Sequence, residues 1–240
     1  MTPITSHQAE ERAQTGNLLL DNVPRDEAHA LLASADLVSP RQGDEIHRQY
    51  SPVHYVYFPR NGVFSLVVSL DDGGMSEAAT VGKEGLVAAT DLDFSPILVT
   101  MQVPGESYRV PVADFRQALK GGSALARLVG RYSTYLLRNA NQMTTCHLRH
   151  SVSERMCRWL LMCQDRMGTA EYLLTHEFLA QMLGVRRQSV TVVAGTLQKR
   201  GLISYRRGVV QVLDRAGLEA AACECHRFTL ESYSRIMQFA

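Results

Sequence analysis

No apolar run in this chain approaches the roughly 20 residues that a membrane-spanning helix needs, and the polar N-terminus lacks the apolar segment of a secretion signal. No contact with a membrane is expected, and the reading is of a cytoplasmic protein. Cysteine is sparse: Cys146, Cys157, Cys163, Cys223 and Cys225 are odd in number and without framework spacing, which predicts reduced thiols. The one tight cluster, CECH at 223–226, falls short of the two separated ligand pairs of a structural zinc site. No metal is expected there. Gly-x-Ser-x-Gly, the phosphate-binding P-loop and His-x-His are all missing, so no catalytic residue is assigned. A cupin-type metalloenzyme with an appended regulatory domain is the rival reading. It would need several ligands converging inside a roll, and the strand region offers only His47 and His54.

Carboxylates are missing from one long stretch in particular. In LTHEFLAQMLGVRRQSVTVVAGTLQKRGLISYRRG, residues 174–208, no Asp or Glu follows Glu177, while six basic side chains lie between Arg186 and Arg207. The net charge of +1 conceals this, because residues 1–150 carry 13 basic against 16 acidic groups and residues 151–240 carry 12 against 8. Such asymmetry is a hint of a polyanionic partner for the second half.

With 240 residues and 45% apolar composition, the chain is long enough for two domains. Residues 1–16 are polar and aperiodic, which reads as a frayed terminus. Residues 17–37 carry helical spacing, with Pro24 at a helix start and Leu31 and Leu32 facing inward. Strand chemistry follows. In residues 54–82 two β-rich runs are joined by Asn61-Gly62, a hairpin signal, with a second turn at Asp71–Gly74. Further strands fit ILVTMQV and SYRVPV on either side of Pro104-Gly105. Six or so short strands predict an antiparallel β-roll over residues 17–121, so the class is α+β. Tyr55, Tyr57 and Phe64 are read as filling that roll.

After Pro111 the signals turn helical, with breaks at Gly121-Gly122 and near Ser151. Over residues 122–150, Val129, Tyr132, Leu136, Asn139, Met143 and Cys146 alternate by three and four, the seam spacing of paired helices. Asn139 inside that seam would fix register. A second stripe, Leu125, Leu128 and Tyr135, would face the chain's own β-domain. This predicts a dimerisation helix, hence a homodimer.

Residues 151–240 read as a winged helix-turn-helix with a C-terminal helical extension. Thr175 can cap a helix over 176–183, Gly184 supplies the turn, and Val190, Val193, Ala194 and Leu197 give the next helix one apolar face. Its opposite face shows Gln188, Thr191, Val192, Gly195 and Lys199. Two strands joined near Arg206–Gly208 complete a wing. Base edges would be read by Arg187, Gln188, Thr191 and Val192. Phosphates would be met by Thr175, Arg186, Ser189, Lys199, Arg206 and Arg207.

These residues resemble the Crp/Fnr family of bacterial transcription regulators, and residues 174–203 are similar to its DNA-reading motif throughout. The resemblance implies a β-roll effector domain, a dimerisation helix and double-stranded DNA as partner, with RNA polymerase a further expected one. Two positions of the reading helix depart from the best-known members, Gln188 standing for Glu and Val192 for Arg, which implies a different operator. Where cyclic-nucleotide members carry an Arg followed by Ser or Thr, this chain has Ser95 and Pro96. Without that clamp a buried phosphodiester loses a charge-assisted contact, so cyclic AMP is disfavoured and no cofactor is assigned. Gly82, Lys83, Glu84 and Gly85 still resemble the family's Gly-rich turn and, with Ser95, form the candidate effector pocket. The N-terminal cysteines of iron–sulfur members have no counterpart before Cys146, and His47 or His54 remains open as a haem ligand. An effector-free dimer regulated by its abundance is the alternative within the same fold.

Overall fold

The computed structural model describes residues 14–71, 74–88 and 91–237. The first half of the chain forms two antiparallel sheets. Helix α1 (Arg25–Leu32), preceded by Pro24, is followed by strands β1 (Asp36–Val38), β2 (Glu45–His47), β3 (Tyr55–Pro59), β4 (Val63–Ser69), β5 (Met75–Val81), β6 (Leu98–Val103) and β7 (Ser107–Pro111). One sheet has the order β1-β7-β3 and the other β2-β6-β4-β5. Val56, Tyr57, Phe58, Phe64, Met101 and Val110 of these strands are buried in one core, which Phe115 of the following helix enters. Tyr57 and Phe64 thus fill the roll, with ring centroids 6.0 Å apart, while Tyr55 packs at the core's margin.

The Asn61-Gly62 signal needs correction. β3 pairs with β7 and β4 pairs with β5 and β6, so β3 and β4 lie in different sheets and form no hairpin. The turn is instead a corner where the chain changes sheet. The same happens at Gly105 between β6 and β7, and the two corners touch. A Cβ on Gly105 would lie 2.6 Å from the Cα of Gly62, and Gly62 itself has φ +84°. Only glycine satisfies both conditions. The turn at 71–74 does join β4 to β5, with Leu70 N–H donating to Gly74 O, although residues 72 and 73 lie outside the described residues.

The N-terminal reading also shifts. Residues 1–13 lie outside the described residues, but Thr15 is buried and donates to Asp21, and Asn17 donates to Pro59 O and Gly85 O. The roll therefore begins ahead of residue 17.

Helix α2 (Val112–Ala118) leads through Gly121-Gly122 to the 26-residue helix α3 (Ala124–Arg149), capped by Ser123. α4 (Val152–Met167) starts in a capping box, Ser151 with Glu154, and ends at Gly168 in the left-handed region. Beyond it come β8 (Glu171–Leu173), α5 (His176–Leu183), α6 (Arg187–Lys199), β9 (Ile203–Arg206), β10 (Val209–Val212), α7 (Arg215–Ala221) and α8 (Cys225–Ile236). β8 joins the wing as a third strand, in the order β8-β10-β9. Among the described residues no helix is long and apolar enough to cross a membrane.

Tertiary packing reassigns the predicted seam. Val129, Tyr132, Leu136, Asn139 and Met143 are all buried within this one chain. Val129, Tyr132 and Leu136 join the core of the roll, together with Leu125, Leu128 and Tyr135. Lower on α3 the occupant is the chain's own α8: Thr229 Oγ1 donates to Asn139 Oδ1 at 3.3 Å, and Tyr233 meets Tyr135 edge-on at 5.2 Å. The C-terminal extension thus belongs with α3 and the roll, whose core Met237 enters. What α3 leaves exposed is a third stripe, Gly130, Thr134, Leu137, Asn141, Thr144 and Leu148, which also alternates by four and three.

Candidate functional site

The DNA-reading unit is built by short-range rules. Thr175 accepts a hydrogen bond from Phe178 N–H at 3.1 Å and so caps α5. α5 stops because Gly184 adopts φ +62°, and Val185 N–H returns to Ala180 O, a Schellman closure. Val190, Ala194 and Leu197 then bury the inner face of α6. Arg186 occupies the N-cap of α6, and its side chain makes no capping bond. The helix start therefore presents amide donors and two arginines with no acid in its first turn, an arrangement suited to an anion.

Arg187, Gln188, Thr191 and Val192 are all exposed, Val192 at 70%. An exposed valine in mid-helix has no packing role within the chain, and a thymine methyl is a suitable partner. Thr191 Oγ1 donates to Arg187 O and lies 3.1 Å from Nδ1 of His176. Burial and the nearby Arg187 charge lower the His176 pKa. Glu177, the last carboxylate of the segment, sits 3.8 Å from Arg187 Nε in an exposed ion pair, which contributes little.

The wing is a two-residue hairpin, with Arg206 opposite Val209. Arg207 at φ +52° and Gly208 at φ +78° are its central residues, the pattern of a type I′ turn. A non-glycine residue held there carries strain of about 1 kcal/mol or more, and the tip displays the cations of Arg206 and Arg207. Of the remaining expected phosphate contacts, Lys199 and Thr175 are exposed and Ser189 is half-buried.

The candidate effector loop is filled by the chain itself. Arg166 of α4 donates through Nε to Glu84 Oε1 at 2.8 Å, with side chains only 8% and 12% exposed. A Cβ on Gly82 would lie 2.6 Å from Cγ and Cδ of Arg166, and one on Gly85 would lie 1.8 Å from Cζ of Tyr132. These glycines serve close approach of the chain's own side chains, and Glu84 is engaged by the Arg166 guanidinium. The Lys83 carbonyl accepts from Leu18 N–H, and Ser95 Oγ donates to Ile97 O. His47 is buried against Tyr57, where burial lowers its pKa to about 4, whereas His54 is exposed.

Sequence reasoning missed the contact between roll and DNA-reading unit. Trp159 of α4 is buried with its indole Nε1 3.5 Å from Glu77 of β5, and Val63, Val67 and Val103 of the roll share a core with α4, α5 and α6. Met167 Sδ accepts from Gly62 N–H at 3.1 Å. An open cleft of about 1010 Å³ separates the β4–β5 hairpin, at Val68, Leu70 and Met75, from Arg186, Arg187 and Ser189.

Comparison with known proteins bears directly on this geometry. Residues 154–221 match the Crp-like helix-turn-helix domain. The curated transcriptional regulator SdrP of Thermus thermophilus is 30% identical over 154 residues, covering 62% of this chain and 69% of that protein. The chain belongs to the Crp/Fnr family. Crp/Fnr proteins are DNA-binding transcriptional regulators, not enzymes, and that is the activity of this chain. Its fold is shared with FixK2 from Bradyrhizobium japonicum, at TM-score 0.67 and 18% identity, covering 79% of this chain and 98% of that one. A CRP-family regulator of Thermus thermophilus is similar at TM-score 0.64 and 19% identity, covering 77% and 96%.

Proposed function

We propose that this Crp/Fnr regulator is a homodimer that reads a near-palindromic DNA site, and that its roll responds to a signal other than cyclic AMP. The observation that carries the reading is the exposed set Arg187, Gln188, Thr191 and Val192 on α6, beside a cationic hairpin tip. Twofold pairing sets two such helices about one helical turn, roughly 34 Å, apart. The pairing surface is the exposed stripe of α3, where Leu137 and Leu148 are 65% and 80% exposed in a single chain and a Cβ on Gly130 meets nothing within 4 Å. A seam with small residues at one end and leucines at the other lets two copies of α3 approach closely.

Arg166 and Tyr132 pack against Gly82, Glu84 and Gly85 of the loop that resembles the family's effector turn, and Ser95 and Pro96 stand at the expected clamp positions, which supports a different signal. Any such signal acts through its differential affinity for two arrangements of roll and reading unit. In the present one, the β4–β5 hairpin borders the cleft at the start of α6, and DNA bound there favours separation of the two. RNA polymerase is the partner through which binding would alter transcription.

The test is selection of binding sites from random duplex DNA with the purified chain, with and without cyclic AMP. The expected result is a near-palindrome with half-site centres about 10 base pairs, or a multiple of one turn, apart, enriched equally in both arms. Enrichment of single half-sites would refute the dimer, and enrichment confined to the nucleotide arm would refute the reading of the roll.

A further inference from the structure

Four metal-ligating atoms, one each from Cys146, His150, Cys223 and Cys225, lie within 4.8 Å of one another. CHLRH, residues 146–150, ends α3 with a Cys and a His four residues apart, which places both on one helix face. Cys223 and Cys225 come from the turn that enters α8. The second ligand pair that CECH lacks in the sequence is therefore delivered by the fold from 77 residues upstream, and His226 takes no part, pairing instead with Asp165 at 2.9 Å.

The spacing suits a single ion. Cys146 and Cys223 hold their sulfurs 3.6 Å apart, and Cys225 Sγ lies 3.7 Å from His150 Nδ1. Two thiolates bound tetrahedrally to one zinc through bonds of about 2.3 Å sit about 3.8 Å apart. A disulfide requires about 2.05 Å. An iron–sulfur cluster distributes its thiolates over different irons and needs a wider cage than four atoms this close provide.

The surroundings fit as well. His150 Nε2 is 3.1 Å from the Glu224 carboxylate, which turns Nδ1 toward the thiols, the carboxylate–histidine arrangement of metal sites. Arg155 and Arg158 are buried, at 7% and 1% exposure. Their hydrogen bonds go to Leu183 O and Met162 Sδ, and the Nε of each lacks a partner. Among the described residues neither forms a salt bridge. Buried guanidinium groups call for a nearby anion, and both act electrostatically on Cys146 and Cys223.

We propose that Cys146, His150, Cys223 and Cys225 bind one zinc(II) ion that locks α8 onto the end of α3. Binding releases the three thiol protons to solvent, and the resulting three-thiolate, one-imidazole site carries one net negative charge beside the two arginines. The ion ties the C-terminal helix to the helix that carries the dimer stripe, and it does so whatever operator the protein reads.

The experiment is elemental analysis of the full-length chain, purified under reducing conditions with zinc supplied and then freed of loosely bound metal. About one zinc per chain is expected, with Cys146, Cys223 and Cys225 protected from alkylation until a strong chelator is added. Cobalt(II) in place of zinc should give the visible bands of a tetrahedral, thiolate-ligated ion. C225S and H150A should lower retained zinc at least about tenfold, and E224Q should weaken affinity about 10- to 100-fold in a chelator competition. Less than about a tenth of a zinc per chain in the native protein would overturn the proposal, as would a Cys146–Cys223 disulfide or retained iron with sulfide. The native-protein readouts decide the matter even where a variant folds poorly.

Discussion

Arg166→Met should be among the most damaging single changes outside the DNA-reading face. The methionine keeps most of the buried volume but leaves the Glu84 carboxylate, 12% exposed, without the guanidinium 2.8 Å away. Oε1 of Glu84 would retain only Gly82 N–H, at 3.1 Å, and Oε2 has no partner even in the native chain. Removing one member of such a buried pair costs about 3–5 kcal/mol, most of it from the stranded charge. Arg166→Met/Glu84→Gln, which strands no charge, should recover at least about 1.5 kcal/mol of that loss in a double-mutant cycle. Gly82→Ala provides an independent check, because its new methyl would displace the Arg166 stem from 2.6 Å. Urea unfolding of the four proteins measures the cycle. Additive losses, or a cost below about 1 kcal/mol for Arg166→Met, would refute the reasoning that this pair clasps the roll to α4.

The DNA face separates by role: Arg187→Ala should cost about 1–3 kcal/mol on the selected site and relax one base position. Arg207→Asn, which tolerates the positive φ, should weaken all duplexes alike and reduce the salt slope by about one; equal behaviour of the two variants would dissolve the distinction. Leu137→Glu places a carboxylate in the exposed stripe of α3 and should raise the dimer dissociation constant at least about tenfold by sedimentation equilibrium, since like charges would meet across a twofold seam. Asn139→Leu should leave dimerisation unchanged, because Asn139 faces Thr229 of its own chain. Burial raises the Glu77 pKa to about 7 against the opposing Ser65 hydrogen bond and Arg158 charge, so the folded chain holds a proton that the unfolded chain releases. Its contribution to stability therefore falls as pH rises from about 4.5 to about 7, by about 3 kcal/mol in full. Glu77→Gln should flatten that slope in denaturation curves recorded between pH 5 and 8.

The DNA-reading unit was legible because its signals are local. Thr175 caps within three residues, Gly184 turns the chain, and Val190, Ala194 and Leu197 repeat along one helix face. No distant segment competes for them. The third wing strand, Glu171–Leu173, was missed because three residues carry no periodicity. Asn61-Gly62 read as a hairpin because a turn signal reports a reversal and is silent about which strand pairs with which. The CHLRH spacing was a visible signal for a ligand pair, overlooked because its complement lies 77 residues away.

Three heptad-like stripes run along α3, and the spacing by three and four marked Val129, Tyr132, Leu136, Asn139 and Met143 as the dimer seam. That choice suits an isolated helix, because buried apolar area is what drives pairing. It could not reveal that α8 and the roll would take two of those stripes first. The amino-acid sequence by itself determined most of the elements and the positive reading helix, since these follow from spacing within one turn or one strand, and its motif carried the family resemblance. Only the tertiary structure decided which face of α3 remains free, that Arg166 packs into the Gly82–Gly85 loop, and that three cysteines and a histidine converge, because each of these depends on contacts between segments whose separation no local period encodes.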